Sequence, residues 1–173
     1  MTKKLLIILI AIFGITTIKA QQASVERSIS GVQVGIPTFR FYYETRLSES
    51  STLRAEAGLG SLFLVGPWGG GLVMFPEFSV QPRWYYNLNR RNQRGRNISN
   101  NAADFLTINT IIFIASGGGL GDSGILFIPT WGMRRNLGRY FEYELGVGVG
   151  YAFGFNGGSG VIYRPHFRIG HRF

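Results

Sequence analysis

The stretch that decides the fold is the end of the chain, Gly160-Val161-Ile162-Tyr163-Arg164-Pro165-His166-Phe167-Arg168-Ile169-Gly170-His171-Arg172-Phe173. One face carries Val161, Tyr163, Phe167, Ile169 and Phe173. The other face carries Arg164, His166, Arg168, Gly170 and Arg172. This alternation predicts a β-strand rather than a helix. In a soluble sheet the charged face points to water, whereas in an outer-membrane barrel the apolar face points to lipid and the polar face to the lumen. We take the membrane barrel as the hypothesis for the rest of the chain.

The N-terminus has the features of a secretory signal. Lys3 and Lys4 precede the apolar run 5–15, and Ala20 offers a small residue for cleavage. The predicted division is a cleaved signal peptide over residues 1–20 and one β-barrel domain over residues 21–173. Cleavage at Ala23 and retention as an uncleaved anchor stay open as alternatives. No later stretch reaches about 18 consecutive apolar residues, so we expect no membrane-spanning helix in the mature chain.

Composition excludes several other classes of protein. The chain has 173 residues, room for one domain, and no cysteine, so a disulfide scaffold and a thiolate metal site are excluded. All three lysines lie in the first twenty residues, which leaves 15 arginines against 9 acidic residues beyond them. Because these arginines are mostly spread over alternate strand positions, nucleic acid is not an expected partner.

The mature chain reads as short alternating runs separated by Gly, Asn, Ser and Pro, the pattern of an all-β meander. The eight predicted strands span residues 25–34, 38–46, 52–65, 72–88, 103–115, 124–134, 141–153 and 160–173. The count falls to seven if Gly35-Ile36-Pro37 is not a turn. Pro76 and Pro82 predict a local distortion of the fourth strand, because proline cannot donate to a ladder. The polar segment 89–101 is predicted to be a turn.

The predicted fold is an eight-stranded antiparallel up-and-down transmembrane β-barrel with a polar, salt-bridged interior. An eight-stranded barrel has space inside only for side chains, and buried charges must be paired or hydrated. The side chains predicted to form this lumen network are Arg40, Glu44, Arg46, Arg54, Glu56, Glu77, Arg83, Glu142, Glu144, Arg164, His166, Arg168 and Arg172. Glu142 and Glu144 are the first expected partners for the arginines of the last strand.

Three stretches resemble small outer-membrane β-barrel proteins of Bacteroidetes. They are the run Gln81-Pro82-Arg83-Trp84-Tyr85-Tyr86-Asn87-Leu88 with the segment 100–106 that follows it, the run 129–138, and the end Arg168-Ile169-Gly170-His171-Arg172-Phe173. The resemblance implies an outer-membrane barrel and no assigned activity. Terminal strands of such barrels usually end on an outward aromatic residue, so Tyr163, Phe167, Ile169 and Phe173 are interpreted as a C-terminal assembly signal.

Little in the sequence favours a catalytic or metal-binding site. His166 and His171 are predicted to lie on opposite faces, so they cannot share a metal ion, and neither has the His-x-Ser context of lipid A deacylase barrels. We therefore expect no catalytic residue, no metal and no cofactor. The expected function is a non-catalytic outer-membrane protein with a structural or lipid-interacting role. A lipid-modifying enzyme is the alternative, and a narrow channel or a soluble lipocalin-like carrier is less favoured.

The basic turn is the one exposed charge cluster that the sequence predicts. Its residues Arg90, Arg91, Arg94 and Arg96 are interpreted as a solvated turn, and the alternatives are a contact with anionic lipid head groups or with a periplasmic partner. The expected partners are outer-membrane lipids and, during biogenesis, the barrel assembly machinery. A monomer is favoured.

Overall fold

The computed structural model describes residues 23–35, 38–66, 69–115 and 123–173. The predicted signal peptide lies outside the described residues, as do Ile36 and Pro37 of the predicted first turn. The described strands are β1 (Ser28–Gly35), β2 (Thr38–Arg46), β3 (Ser51–Gly66), β4 (Gly69–Trp84), β5 (Asp104–Phe113), β6 (Gly124–Leu137), β7 (Phe141–Gly154), β8 (Ser159–Tyr163) and β9 (His166–Arg172). A short helix, α1 (Leu88–Gln93), and a 3₁₀ turn (Ser99–Asn101) lie between β4 and β5.

The strands form a closed eight-stranded antiparallel barrel. Each strand from β1 to β7 pairs with the next along the chain, and β1 also pairs with β9, which closes the sheet. Both β8 and β9 run beside β7, so together they make one interrupted strand. Gly35 of β1 pairs with Thr38 of β2, so these strands are separate neighbours. The predicted all-β class and the count of eight strands are confirmed.

The last predicted strand, 160–173, is interrupted at Arg164 and Pro165. The Arg164 N–H still donates to the Gly148 carbonyl at 2.9 Å, but Pro165 has no N–H to continue the ladder. Among the described residues β9 pairs with both β7 and β1, whereas β8 pairs with β7 alone. The barrel wall therefore has a seam along the second edge of β8.

The distortion predicted for the fourth strand occurs at Pro82. The pairing of β4 with β5 runs up to Val80 and Thr110 and resumes at Arg83 and Thr107. Between these pairs the β5 side of the ladder is interrupted, although β4 itself remains one continuous strand.

The prediction that residues 89–101 form a simple turn is wrong. The segment 85–103, termed the cap, contains α1 and the 3₁₀ turn. It folds over the end of the barrel where β1 begins and β9 ends. Its apolar core consists of Ala23, Val25, Tyr85, Leu88, Ala103 and Phe105. Leu88, the last residue of the predicted fourth strand, is instead buried at the start of α1, because the chain leaves the sheet after Trp84.

The two faces of the sheet differ sharply in chemistry. Large apolar side chains cover the outside, among them Phe41, Tyr43 and Val147, each more than half exposed. Charged side chains are enclosed inside, and Arg54, Glu142 and Glu144 have no exposed surface. This distribution is the reverse of that in a soluble sheet, where the exposed face is polar. None of the helices in the described part of the chain is long and apolar enough to cross a membrane.

Candidate functional site: the barrel interior, its cavity and a basic cleft

An ionic network occupies the barrel interior. In the described residues it comprises Arg40, Arg54, Arg83, Arg134, Arg164, Arg168 and Arg172 together with Glu44, Glu56, Glu77, Glu142 and Glu144. The alternation of each strand turns these side chains inward, and all but Arg164 are nearly or fully buried. Charges enclosed in this way must be paired, and arginine suits the position because its planar fork bonds several carboxylates at once.

Glu44 joins the network to the cap. Its Oε1 accepts hydrogen bonds from Thr52 Oγ1 at 2.9 Å, Tyr85 Oη at 2.7 Å and Asn101 Nδ2 at 2.9 Å. Its Oε2 accepts from Arg134 Nη2 at 2.9 Å. The carboxylate is therefore held by side chains from two strands and from both ends of the cap.

Glu144 lies close to arginines from four strands, including Arg54 on β3, whose Nη1 atom is 3.7 Å from Oε2. Arg83 binds it through both terminal nitrogens, with Nη1 at 2.8 Å from Oε2 and Nη2 at 3.1 Å from Oε1. Arg134 Nη2 donates to Oε2 at 3.2 Å, and Arg168 Nη1 lies 3.7 Å from Oε1. Such a bidentate pair fixes geometry as well as charge.

His166 lies beside this carboxylate, with its Nε2 atom 3.5 Å from Glu144 Oε1. The ring packs against Gly146 on β7, where an added Cβ would collide with the imidazole Cε1 and Nε2 atoms. A residue larger than glycine at position 146 would thus displace His166. The Ser61 Oγ atom and the His166 Nε2 atom each lack a hydrogen-bond partner, so these two residues do not form a Ser–His pair.

Glu142 and Glu77 anchor the two remaining groups of contacts. Glu142 accepts from Gln33 Nε2 at 2.7 Å and Tyr42 Oη at 2.9 Å, and Arg172 Nη1 lies 3.2 Å from its Oε2. Glu77 pairs with Arg164 Nη2 at 2.8 Å and also contacts Arg40 Nη2. The structure thus gives Arg172 the partner expected for it, Glu142.

Sequence reasoning misplaced one member of this set and missed another. Arg46, predicted to face the lumen, is exposed at the end of β2 and donates to the Val25 carbonyl. Arg134 was not in the predicted set, yet it is fully buried and binds both Glu44 and Glu144. The signal for Arg134 is its spacing from Trp131, because residues three apart on a strand face opposite sides.

A cavity of about 260 Å³ lies inside the barrel at the end opposite the cap. Its apolar lining includes Phe75, Phe113, Leu126, Ala152 and Ile162. Leu126 belongs to the buried cluster of Ile111, Leu126 and Ile128, and Phe113, Ala152 and Ile162 pack against that cluster. Its polar lining includes Thr38, Arg40, Ser61, Arg164, His166 and Arg168. The ionic network thus forms one boundary of the cavity.

The predicted basic turn forms a cleft on the cap side of the barrel. The cleft has a volume of about 220 Å³ and is lined by Asn87, Arg90, Arg91, Arg94, Arg96, Asp104 and Arg135. Arg91 is buried and donates to the Asn97 carbonyl at 3.1 Å, whereas Arg90, Arg94 and Arg96 are exposed. Burial lowers the pKa of the Arg91 guanidinium, and the neighbouring Arg135 cation lowers it further. One acid, Asp104, balances this group of cations by binding Arg135 at 2.5 Å.

The residues interpreted as a C-terminal assembly signal all lie on the outer surface. Phe173 and Tyr163 are the most exposed, at 78% and 74%, and Phe167 and Ile169 are also exposed. His171 lies on the same side, where its ring contacts those of Tyr140, Phe141 and Phe173.

No cluster of three or more metal-ligating side chains occurs within residues 23–35, 38–66, 69–115 and 123–173. Comparisons of the chain with protein-family models, with curated proteins and with solved structures each found no match.

Proposed function

We propose that this protein is a small integral outer-membrane β-barrel with no catalytic activity and with a structural or lipid-interacting role. The observation that carries the proposal is the inverted distribution of polarity, with paired charges enclosed and large apolar side chains exposed around the outside. Exposed apolar surface on this scale marks a contact with lipid or protein. In a transmembrane barrel the lipid-facing band is apolar and the lumen is polar.

Strand length and the ends of the chain agree with this proposal. Membrane strands need about 9–11 residues to cross the hydrocarbon layer when tilted. Most of the strands reach this length, with 16 residues in β3 and β4 and 14 in β6 and β7. The predicted signal peptide and the outward Phe173 favour export and insertion by the barrel assembly machinery.

The alternative functions fit the interior less well. A soluble lipocalin-like carrier needs an apolar interior and a polar exterior, and the charges in this barrel have the opposite arrangement. A conducting channel needs a water-filled passage, whereas the cap, the ionic network and the apolar cluster occupy the interior. A lipid-modifying enzyme needs a nucleophile bonded to its base, which Ser61 and His166 do not provide.

Cell fractionation of the full-length chain expressed in a Gram-negative host tests the proposal. We expect the protein in the outer-membrane fraction, extracted only by detergent. A matched pair of variants sharpens the result: Val147→Arg places a charge at the middle of β7's outer face, and Ser48→Arg places the same charge in an exposed turn. A lipid-facing arginine costs about 2–4 kcal/mol near the bilayer midplane, so only Val147→Arg should lower the amount of inserted barrel. Free solubility of the processed chain, or an equal effect of both variants, would contradict the membrane assignment.

A further inference from the structure

The cavity opposite the cap has two chemically different sides. The apolar side is built by β4 to β8 and presents Phe75, Phe113, Leu126, Ala152 and Ile162. The polar side is built mainly by β2, β3 and β9 and presents Arg40, Ser61, His166 and Arg168. A ligand that satisfies both sides must itself be amphipathic.

The polar side has hydrogen-bonding capacity that the protein does not use. Arg40 Nε, Ser61 Oγ, His166 Nε2 and Arg168 Nε are buried and have no hydrogen-bond partner. Most buried polar atoms in folded proteins are satisfied, so four such atoms around one cavity need an explanation. Two of the four atoms, Arg40 Nε and Arg168 Nε, are guanidinium nitrogens that can only donate, which points to a ligand group that accepts hydrogen bonds.

The charge balance points to an anion. The ionic network contains seven arginines and five glutamates, so arginine exceeds glutamate by two. At the cavity Arg40 and Arg164 share Glu77, while Arg40 and Arg168 share Glu56. A carboxylate placed among these arginines would reduce the excess and accept charge-assisted hydrogen bonds.

The size and the opening of the cavity limit the ligand further. A water-sized group fills about 30 Å³, so a cavity of about 260 Å³ has room for roughly nine such groups. Thr38, Tyr163 and Pro165 also line the cavity, so it extends to the seam beside β8. A chain longer than the cavity can therefore pass outward at this seam.

We propose that this cavity binds a single-chain amphiphile that carries one carboxylate, with about six to eight carbons of its alkyl chain enclosed and any remainder leaving at the seam. The carboxylate lies against Arg40, Arg164 and Arg168. The alkyl chain lies against Phe75, Phe113 and Leu126. The site is inside the barrel whatever surrounds the exterior, so this inference does not depend on the membrane location.

Calorimetric titration with decanoate tests the proposal. The full-length protein is held in an amphipol, which avoids detergent monomers that would compete for the cavity. We expect saturable binding of one decanoate per chain. Decanol and decyltrimethylammonium, which have the same chain with a neutral or a cationic head, should bind at least tenfold more weakly, because the charge-assisted bonds are lost.

Three variants separate the cavity from non-specific uptake. Ala152→Leu fills the apolar side without removing any ion pair and should abolish binding, while Tyr151→Phe changes the adjacent outward residue and should leave binding unchanged. Arg164→Gln removes one cation but leaves Glu77 paired with Arg40, and it should weaken binding of decanoate about tenfold and of decanol hardly at all. Equal binding of decanoate and decanol, or full binding by the folded Ala152→Leu variant, would overturn the proposal.

Discussion

Asn101 reaches from the cap into the barrel and donates its side-chain amide to Glu44, with Nδ2 at 2.9 Å from Oε1, although the two residues are 57 positions apart. Its own Oδ1 accepts the Glu26 backbone N–H at 2.7 Å. One side chain therefore ties the cap both to the ionic network and to the segment that precedes β1. Asn101 also has a positive φ of 58°, a conformation that asparagine adopts more readily than most residues.

We expect Asn101→Gly to destabilise the protein by about 1–3 kcal/mol, the cost of losing a hydrogen bond to a buried charged group. Glycine keeps the positive φ without strain, so this variant isolates the lost side-chain contacts. The measurement is urea unfolding of the refolded protein. Asn101→Ala should be less stable still, because it adds backbone strain to the lost contacts. If Asn101→Gly unfolds at the same urea concentration as the parent, the link between cap and network does not contribute to stability.

Arg134 is the second test of the interior, since it bridges Glu44 and Glu144 without any exposed surface. Arg134→Met leaves these two carboxylates short of a cation and should cost about 3–5 kcal/mol, the range for breaking a buried ion pair. The exposed Arg139→Met is the matched control and should change the free energy of unfolding by less than about 0.5 kcal/mol. An Arg134→Met variant as stable as the Arg139→Met control would show that Arg134 is dispensable to the network.

The basic cleft shows which of the four arginines can contact anionic lipid. Arg90, Arg94 and Arg96 are exposed, whereas Arg91 is buried and bonded to the Asn97 carbonyl. Replacing the three exposed arginines by serine should leave unfolding unchanged and weaken binding to vesicles that contain anionic lipid, by roughly 1 kcal/mol for each charge. Arg91→Ser should instead lower stability, because it removes a buried contact of the cap.

Co-sedimentation at two salt concentrations measures how much protein binds to the vesicles. Surface electrostatic attraction is screened by salt, so binding of the parent should fall as salt rises and binding of the triple variant should change little. Vesicles of neutral lipid serve as the control. Undiminished binding of the triple variant to anionic vesicles would eliminate the cleft as a lipid contact.

The alternation of side chains made most of the barrel predictable. The bounds predicted for the second strand match β2, and the inward face predicted for Arg40 and Glu44 agrees with their burial. A period of two specifies which side chains share a face, so a charged face on several strands predicts enclosed charges. Arg134 is the last residue of the predicted sixth strand, so the alternation of that strand does not by itself predict an inward side chain there.

Other features depend on contacts that alternation does not describe. The cap is rich in Asn and Arg, which predicts a solvated turn, yet Asn101 is buried because Glu44 and the Glu26 backbone satisfy its amide. The cavity was missed because both faces of the fifth strand are apolar, so the inward Ile111 and Phe113 could not be told from outward residues. In the sequence Pro165 indicates a break, but the alternation of apolar and polar residues continues on both sides of it and predicts one continuous strand.

The interruption at Pro165 also divides the closing strand into two parts that differ in how firmly they are held. β9 shares backbone hydrogen bonds with neighbours on both sides, whereas the five residues of β8 pair, within the described part of the chain, with β7 alone. Local opening requires the fewest broken bonds where a segment has one neighbour. We therefore expect the amide protons of β8 to exchange with solvent sooner than those of β9, which hydrogen-exchange measurements on the folded protein would show. The closing strand thus has one part that is hydrogen-bonded on both sides and one part that, within the described residues, is hydrogen-bonded on one side, and Pro165 marks the boundary between them.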